Sequence, residues 1–160
     1  MDADEHALPD PATPATPATA AASTDPRPAY RDALLDEHLR ALFPDAPDAA
    51  LDFMKQHLQW LQVAAGETLI VQGDAGDAAY LALSGRLRVY VTGDDGERAV
   101  RELARGSVIG EMSLFTGEPR SATVVAVRDS VLVKLAKPHF EALLLRHPQV
   151  SLTFTRQMIW

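Results

Sequence analysis

A carboxylate and a guanidinium stand nine residues apart in one short loop, Gly110-Glu111-Met112-Ser113-Leu114-Phe115-Thr116-Gly117-Glu118-Pro119-Arg120-Ser121-Ala122-Thr123-Val124. Small residues beside both charges let a ligand approach main-chain N–H groups, and a run of such groups forms an anion-binding concavity. Arg120 can add a two-pronged contact to phosphate oxygens. Glu111 can only accept hydrogen bonds, so it suits a sugar hydroxyl. A plain Glu111–Arg120 ion pair is the structural alternative to this ribose-phosphate site.

The segment from Ile109 to Val124 resembles, without a gap, the phosphate-binding cassette of cyclic nucleotide-binding domains. The resemblance extends over about Leu51 to Trp160, through the motifs Ala65-Gly66-Glu67, Gln72-Gly73-Asp74, Gly76-Asp77 and Ser84-Gly85. It implies an α+β fold in which a β jelly roll, a double-stranded antiparallel β barrel, is flanked by N-terminal and C-terminal helices. It also implies a cyclic nucleotide as ligand, contacted by Gly110, Glu111, Met112, Ser113, Arg120, Ser121 and Ala122.

Arg101, with its neighbour Val100, is the candidate contact for the base. In strict alternation Arg101 shares a strand face with the inward-pointing Leu103. The alternatives are a strand-edge arginine paired with Glu102 or another surface acid, and an arginine turned outward by a bulge. An arginine can pair with the O6 and N7 acceptors of guanine, whereas adenine presents a donor there.

The resemblance bears on the same choice of base. It includes cyclic-GMP-dependent kinase domains, where an arginine ten residues before the cassette glutamate contacts the base and a hydroxyl residue follows the cassette arginine. Arg101 and Ser121 match those positions. Bacterial cyclic-AMP receptors also carry serine there, so Arg101 carries the expectation that cyclic GMP is favoured over cyclic AMP.

Composition narrows the class of protein. The chain has 160 residues, of which 47% are hydrophobic, and a net charge of −7, which argues against nucleic acid as a partner of this segment. It has no cysteine, which excludes disulfides and thiolate metal sites. It shows neither a signal-peptide pattern nor an apolar run of transmembrane length. These features predict a cytoplasmic protein with no membrane partner.

The chain divides into four predicted regions. Residues 1–28, with Pro-Ala-Thr repeated three times, are expected to form a disordered leader. Residues 29–58 are predicted to form two helices, 30–43 and 47–58. Residues 59–136 form the jelly roll, with strands at 60–63, 67–71, 79–83, 86–92, 98–103, 123–126 and 130–135 and a hairpin tip at 93–96. Residues 137–160 form C-terminal helices, 137–146 and 149 to the end. Trp160 falls within the last pattern, so we expect a truncated piece of a longer protein.

No catalytic constellation is evident in the sequence. The five histidines show no metal-ligand spacing with acids, and no nucleophile elbow, Walker loop or carboxylate pair is present. We therefore expect a non-enzymatic segment that uses no metal and no cofactor other than its ligand.

The sequence favours a cyclic nucleotide sensor fused to a C-terminal output domain such as a diguanylate cyclase or lipase, and three other functions are alternatives to it. They are a cyclic-AMP regulator of the catabolite-activator type with its DNA-binding domain missing, a ligand-free interaction domain and a metal-binding jelly-roll enzyme. A stripe of Val150, Phe154 and Met158, widened by Leu152 and Ile159, predicts a homodimer or a domain junction.

Overall fold

The computed structural model describes residues 28–158, with side chains as far as Arg156. The predicted leader before Pro28, the Met158 side chain, Ile159 and Trp160 lie outside the described part. The elements in chain order are α1 (Pro28–Leu42), α2 (Asp48–His57), β1 (Gln59–Val63), β2 (Thr68–Ile70), β3 (Ala78–Gly93), β4 (Gly96–Ala104), β5 (Val108–Ile109), α3 (Glu111–Thr116), β6 (Thr123–Ala136), α4 (Lys137–Arg146) and α5 (Gln149–Met158).

Two long antiparallel strands, β3 and β6, pair along their length and organise the barrel. At one end β1 joins residues 130–134 of β6, and β5 joins Tyr80 and Leu81 of β3. At the other end β2 joins Val124 and Val125 of β6, and β4 joins the second half of β3. The single sheet therefore folds over itself into an antiparallel jelly roll, as the sequence predicted.

The bend in the long strands lies at Gly85, where the β3–β6 register shifts. Gly85 has φ of +93°, and a Cβ there would clash with Ser130. The Ser130 hydroxyl donates to the carbonyl of Arg128 at 2.8 Å and accepts from the Arg86 N–H at 3.2 Å. A glycine is needed here because the backbone adopts a left-handed conformation against a packed neighbour.

Two apolar cores lie on opposite faces of β3. Tyr80 and Ala82 point into the barrel, where they pack with residues such as Leu87 and Leu132. The alternate residues of the same strand, with Leu81 among them, face the helices. A strand buried on both faces accounts for the unbroken run of buried residues from Ala78 to Leu83.

The helices cover one outer face of the barrel. Pro44 follows α1 by two residues, and Pro47 caps α2 with an extended backbone (φ −66°, ψ 152°), as expected for residues that stop and start helices. Pro138 stands in the first turn of α4. The four long helices were predicted, with both ends of α1, α2 and α4 and the start of α5 within two residues of those observed, whereas the predicted end of α5 lies outside the described residues. None of the helices within 28–158 is long and apolar enough to cross a bilayer.

Three sequence expectations differ from the structure. The runs 79–83 and 86–92 are one strand, and so are 123–126 and 130–135, because Gly85 and the register shifts bend the strands without ending them. Strand β5 was not predicted, since two residues carry no periodicity. Val150 and Phe154 do not form an open stripe: they are buried in the helix-facing core.

Candidate ligand-binding site

The cassette begins at Gly110, the residue before α3. Gly110 has φ of 81° and ψ of 6°, a left-handed conformation that favours glycine. An added Cβ would also meet the guanidinium of Arg120. Gly110 thus turns the chain from β5 into α3 and leaves room for the arginine, whereas Gly117 (φ 73°) ends α3.

Arg120 is held in place by main-chain carbonyls. Its side chain is almost fully buried, with 6% of the residue exposed. Its Nη1 donates to the Gly110 carbonyl and its Nη2 to the Ala78 carbonyl, both at 2.7 Å. Because these bonds use only part of the five N–H donors of a guanidinium, donors remain for an anion. No Glu111–Arg120 ion pair forms among the described contacts, so the structural alternative is not what fixes either residue.

A turn upstream, residues 72–77, holds the backbone of Arg120. The Gly73 N–H donates to the Arg120 carbonyl at 2.9 Å, and the Arg120 N–H donates to the Asp74 carbonyl at 2.8 Å. The carboxylate of Asp77 lies 3.7 Å from Arg120 Nη2, although its side chain is mostly exposed. Our site prediction omitted Asp74 and Asp77. Both aspartates belong to motifs that carry the family resemblance, Gln72-Gly73-Asp74 and Gly76-Asp77, and these motifs could have indicated them.

Glu111 is buried at the start of α3, with 8% of the residue exposed. Burial raises the pKa of its carboxyl above the usual range, because the charged form loses hydration. A hydrogen bond from its own main chain and the charges of Arg101 and Arg120 lower that pKa and partly offset the burial. A buried acceptor with two nearby cations and no salt bridge is suited to accept a hydroxyl donor from a ligand.

A cavity of about 170 Å³ brings the predicted residues together. Its lining includes eight of the nine predicted site residues: Arg101, Gly110, Glu111, Met112, Ser113, Arg120, Ser121 and Ala122. Ile70, Val89, Leu103, Val108, Ile109 and Val124 supply the apolar part of its wall. Two cations and one carboxylate therefore converge on a cavity whose wall is both polar and apolar, which suits a small molecule with charged and apolar parts.

Val100 does not reach this cavity. The β3–β4 register shifts between Val89 and Tyr90, which pair with Arg101 and Ala99, so Val100 is the extra residue of a bulge. It is 47% exposed. The bulge lies before Arg101, and the register from Arg101 to Leu103 is unbroken, so the two residues share a strand face as expected, but Arg101 is exposed rather than buried. Arg101 nevertheless lines the cavity on the side of Leu103.

Glu102 does not pair with Arg101. It lies instead 2.6 Å from Arg88 and 3.4 Å from Arg86. The alternative of a strand-edge Arg101–Glu102 pair is therefore excluded, and the guanidinium of Arg101 stays on the cavity side of the sheet.

The site is connected to the helices by Phe115. Its ring lies 5.1 Å from that of Phe140 in α4 and 6.0 Å from that of Phe154 in α5. Leu114 beside it belongs to the helix-facing core. Helix α3 is thus in direct packing contact with both C-terminal helices. Within residues 28–158, no group of three or more His, Asp or Glu could hold a metal ion.

The sequence of residues 60–147, more than half of the chain, matches the family model of the cyclic nucleotide-binding domain. The chain belongs to the cyclic nucleotide-binding domain family. Solved structures of the family superpose on it. A catabolite activator protein of Thermus thermophilus is 34% identical with a TM-score of 0.67, over 74% of this chain and 56% of that one. The regulatory domain of Toxoplasma gondii PKA with cAMP is 30% identical with a TM-score of 0.69, over 72% and 45%.

Sequence relatives of this cyclic nucleotide-binding domain include much longer proteins. Lysophospholipase nte1 of Aspergillus oryzae is 39% identical over 100 residues, which are 62% of this chain and 6% of the relative. Patatin-like phospholipase domain-containing protein 7 of Rattus norvegicus is 43% identical over 94 residues, 58% of this chain and 7% of the relative. The chain therefore spans a small part of the curated relatives that it matches.

Proposed function

We propose that this domain binds a cyclic nucleotide, cyclic GMP in preference to cyclic AMP, and thereby regulates an attached output domain. The observation that carries the proposal is the convergence of buried Arg120 and buried Glu111 on one cavity. Arg120 neutralises the cyclic phosphate with its remaining N–H donors, and Glu111 accepts the ribose 2′-hydroxyl. The small residues Ser121 and Ala122 leave the phosphate close to the main chain.

The preference for cyclic GMP rests on Arg101. Its guanidinium lines the same cavity as Glu111 and pairs with no carboxylate in the described part of the chain. A guanidinium can donate to both O6 and N7 of guanine, and one good two-pronged pair discriminates by about 1–3 kcal/mol. Because Arg101 is exposed, its contact with the base is partly hydrated, which favours the lower part of that range.

Regulation follows from the contact between α3 and the C-terminal helices. A ligand that binds one arrangement of α3 more tightly shifts α4 and α5 by the difference in affinity. The relatives named lysophospholipase and patatin-like phospholipase favour a lipase as the fused output over a diguanylate cyclase. The domain then works in the cytoplasm, where such nucleotides signal. A homodimer, if formed, would use the exposed Leu145 and Leu152 (83% and 61% exposed), since Val150 and Phe154 are buried.

Cyclic AMP is the second candidate ligand. The solved PKA regulatory domain that this chain resembles is described with cAMP, and the catabolite activator fold is shared. If the exposed Arg101 stays hydrated when the ligand binds, it does not discriminate between cyclic GMP and cyclic AMP. The proposed contacts to the ribose and the phosphate are the same for both nucleotides. A domain that binds neither nucleotide would be an interaction module.

Parallel calorimetric titrations with cyclic GMP and cyclic AMP test the proposal. We expect the wild type to bind cyclic GMP more tightly, by about five- to 150-fold. Arg120→Ala should weaken both nucleotides by at least tenfold, since loss of a buried charge-assisted contact costs about 2–4 kcal/mol. Arg101→Ala should remove the selectivity and leave the cyclic AMP affinity unchanged.

Arg98→Ala is the matched control, because Arg98 is an exposed arginine of the same strand that does not line the cavity. Circular dichroism and thermal melting establish that each variant is folded. Unchanged affinity in a folded Arg120→Ala variant would reject the site. Cyclic AMP binding more tightly than cyclic GMP, or selectivity that survives loss of Arg101, would reject the base assignment alone.

A further inference from the structure

Three arginines lie together on the outer surface of the barrel, and we call Arg86, Arg88 and Arg128 the basic face. Leu87, between the first two, is buried inside the barrel, so its neighbours point outward. Arg86 and Arg128 are direct partners across the β3–β6 ladder. The three side chains are thus held on adjacent strands at fixed spacing, independently of the candidate ligand site on the other face of the sheet.

Among residues 28–158, Glu102 is the carboxylate that neutralises this face. Its two oxygens lie 2.6 Å from Arg88 Nη2 and 3.4 Å from Arg86 Nη1. The hydrogen bond from Arg88, together with the charges of Arg88, Arg86 and Arg128, holds the pKa of Glu102 below its usual range, although burial partly offsets this. One carboxylate facing three guanidinium groups leaves a local positive charge on a chain whose net charge is −7. Such a face attracts an acidic partner.

The acidic partner is available within the same chain. Residues 1–27 contain the acids Asp2, Asp4, Glu5, Asp10 and Asp25 and a single basic residue, Arg27. Three of these acids fall within the first five residues, and we call Asp2, Asp4 and Glu5 the acidic head. Its three carboxylates are opposite in charge to the arginines of the basic face.

The leader is long enough to bring the acidic head to the basic face. The guanidinium of Arg31, in the first turn of α1, lies 4.4 Å from the ring centroid of Trp60. Trp60 pairs with Val133 on β6, five residues along that strand from Arg128. Five residues of a strand span about 17 Å. Arg27 lies 22 positions after Glu5, and an extended chain of that length spans at most about 75 Å, so the length of the connection is not limiting.

We propose that the acidic head docks on the basic face of its own chain. The contact is electrostatic and intramolecular, so the short tether supplies a high effective concentration in place of a large interface. The basic face lies on β3 and β6, and β3 carries Val89, which lines the candidate cavity, on its opposite side. This inference does not depend on the proposed ligand.

Paramagnetic relaxation enhancement tests the docking directly in the whole 160-residue chain. Since the chain has no cysteine, Ala3→Cys provides a single site for a nitroxide spin label. We expect the amide signals of residues 86–88, 102 and 128 to lose roughly half their intensity or more. Raising NaCl to about 0.5 M, which shortens the screening length to a few ångströms, should restore them.

Charge-neutralised variants complete the test. The broadening should disappear in the head variant D2N/D4N/E5Q and in the face variant R86Q/R88Q/R128Q. The control variant Arg98→Gln should leave the broadening unchanged. Uniform broadening of amide signals over the surface, or broadening centred elsewhere, would overturn the proposal.

A mixture of spin-labelled chain and ¹⁵N-labelled chain without the nitroxide tests for a second copy. Broadening of the basic-face signals of the ¹⁵N chain would identify a second copy as the occupant. If vesicles that contain phosphatidylserine broaden the basic-face amide signals of a chain without the nitroxide, the occupant is a membrane surface. Either result rejects intramolecular docking.

Discussion

Glu111 is the buried carboxyl of the candidate site, and its burial affects the stability of the fold. Burial raises the pKa of its carboxyl, so the folded protein holds the proton more tightly than the unfolded chain does. The free energy of unfolding therefore rises as pH falls from above the folded pKa to below the unfolded value of about 4.3. Conversely, the ionised carboxylate lowers stability at neutral pH. A ligand hydroxyl would compensate for that loss.

Glu111→Gln should consequently raise the unfolding free energy of the ligand-free protein at about pH 7.5 and flatten its change down to about pH 4.5. Urea unfolding at several pH values measures both effects. Glu118→Gln, at an exposed position just after α3, is the control and should leave the profile unchanged. A destabilised Glu111→Gln protein at neutral pH would mean that the carboxylate, through its main-chain hydrogen bond, supports the fold.

The charged residues of the site could be predicted because their chemistry is local to one loop. Glu111 and Arg120 belong to a motif whose spacing is visible in the sequence, and both line the cavity. What holds Arg120 could not be predicted: the carbonyls of Gly110 and Ala78 are main-chain groups that any residue could supply. Val100 was predicted to contact the ligand but does not line the cavity, because it is the extra residue of a bulge. The alternation of polar and apolar residues in the sequence does not reveal where a strand has a bulge.

At the scale of elements, the conformation of Gly85 determines how β3 crosses from one half of the barrel to the other. Gly85→Ala should destabilise the protein by about 2–4 kcal/mol, from the strain of a left-handed alanine and the clash with Ser130. Chemical denaturation measures the loss. Gly93→Ala is the matched control in the same strand, because Gly93 has no neighbour within 4 Å of an added Cβ and no positive φ.

The Gly93 variant should stay within about 0.5 kcal/mol of the wild type. Equal stability of the two variants would show that the bend tolerates a side chain and that Ser130 can move. The same glycine explains why two strands were predicted where one exists. Glycine is typical of turns, so Gly85 was predicted to separate two strands. The pairing of β3 with β6 continues past Gly85 and shows that the strand bends there without ending.

At the scale of the molecule, the C-terminal helices are part of the core. Val150 and Phe154 were predicted to form an uncovered stripe, but Phe154 packs with Phe43, Phe115 and Phe140. Sequence periodicity identified the apolar face of α5 correctly. It could not identify what covers that face, because the covering rings come from three separate places in the chain: the end of α1, α3 and α4.

Because α3 packs on α4 and α5, ligand binding should stabilise the domain as a whole. A ligand at a hundredfold excess over its dissociation constant raises the unfolding free energy by about 2.7 kcal/mol. For a domain of this size, about 1 kcal/mol raises Tm by roughly 4 °C, so cyclic GMP should raise Tm by about 10 °C. Differential scanning calorimetry with cyclic GMP, with open-chain guanosine 5′-monophosphate as the ligand control, measures the shift. The same titration of Arg120→Ala should give a shift of at most about 6 °C at that concentration, because binding weakened tenfold reduces the linkage free energy to about 1.4 kcal/mol and weaker binding reduces it further. An equal shift in the variant would place the ligand away from Arg120. A shift confined to an early, separate transition would show instead that the barrel and the helices unfold independently, and the route through Phe115 would then fail as the path from ligand to output.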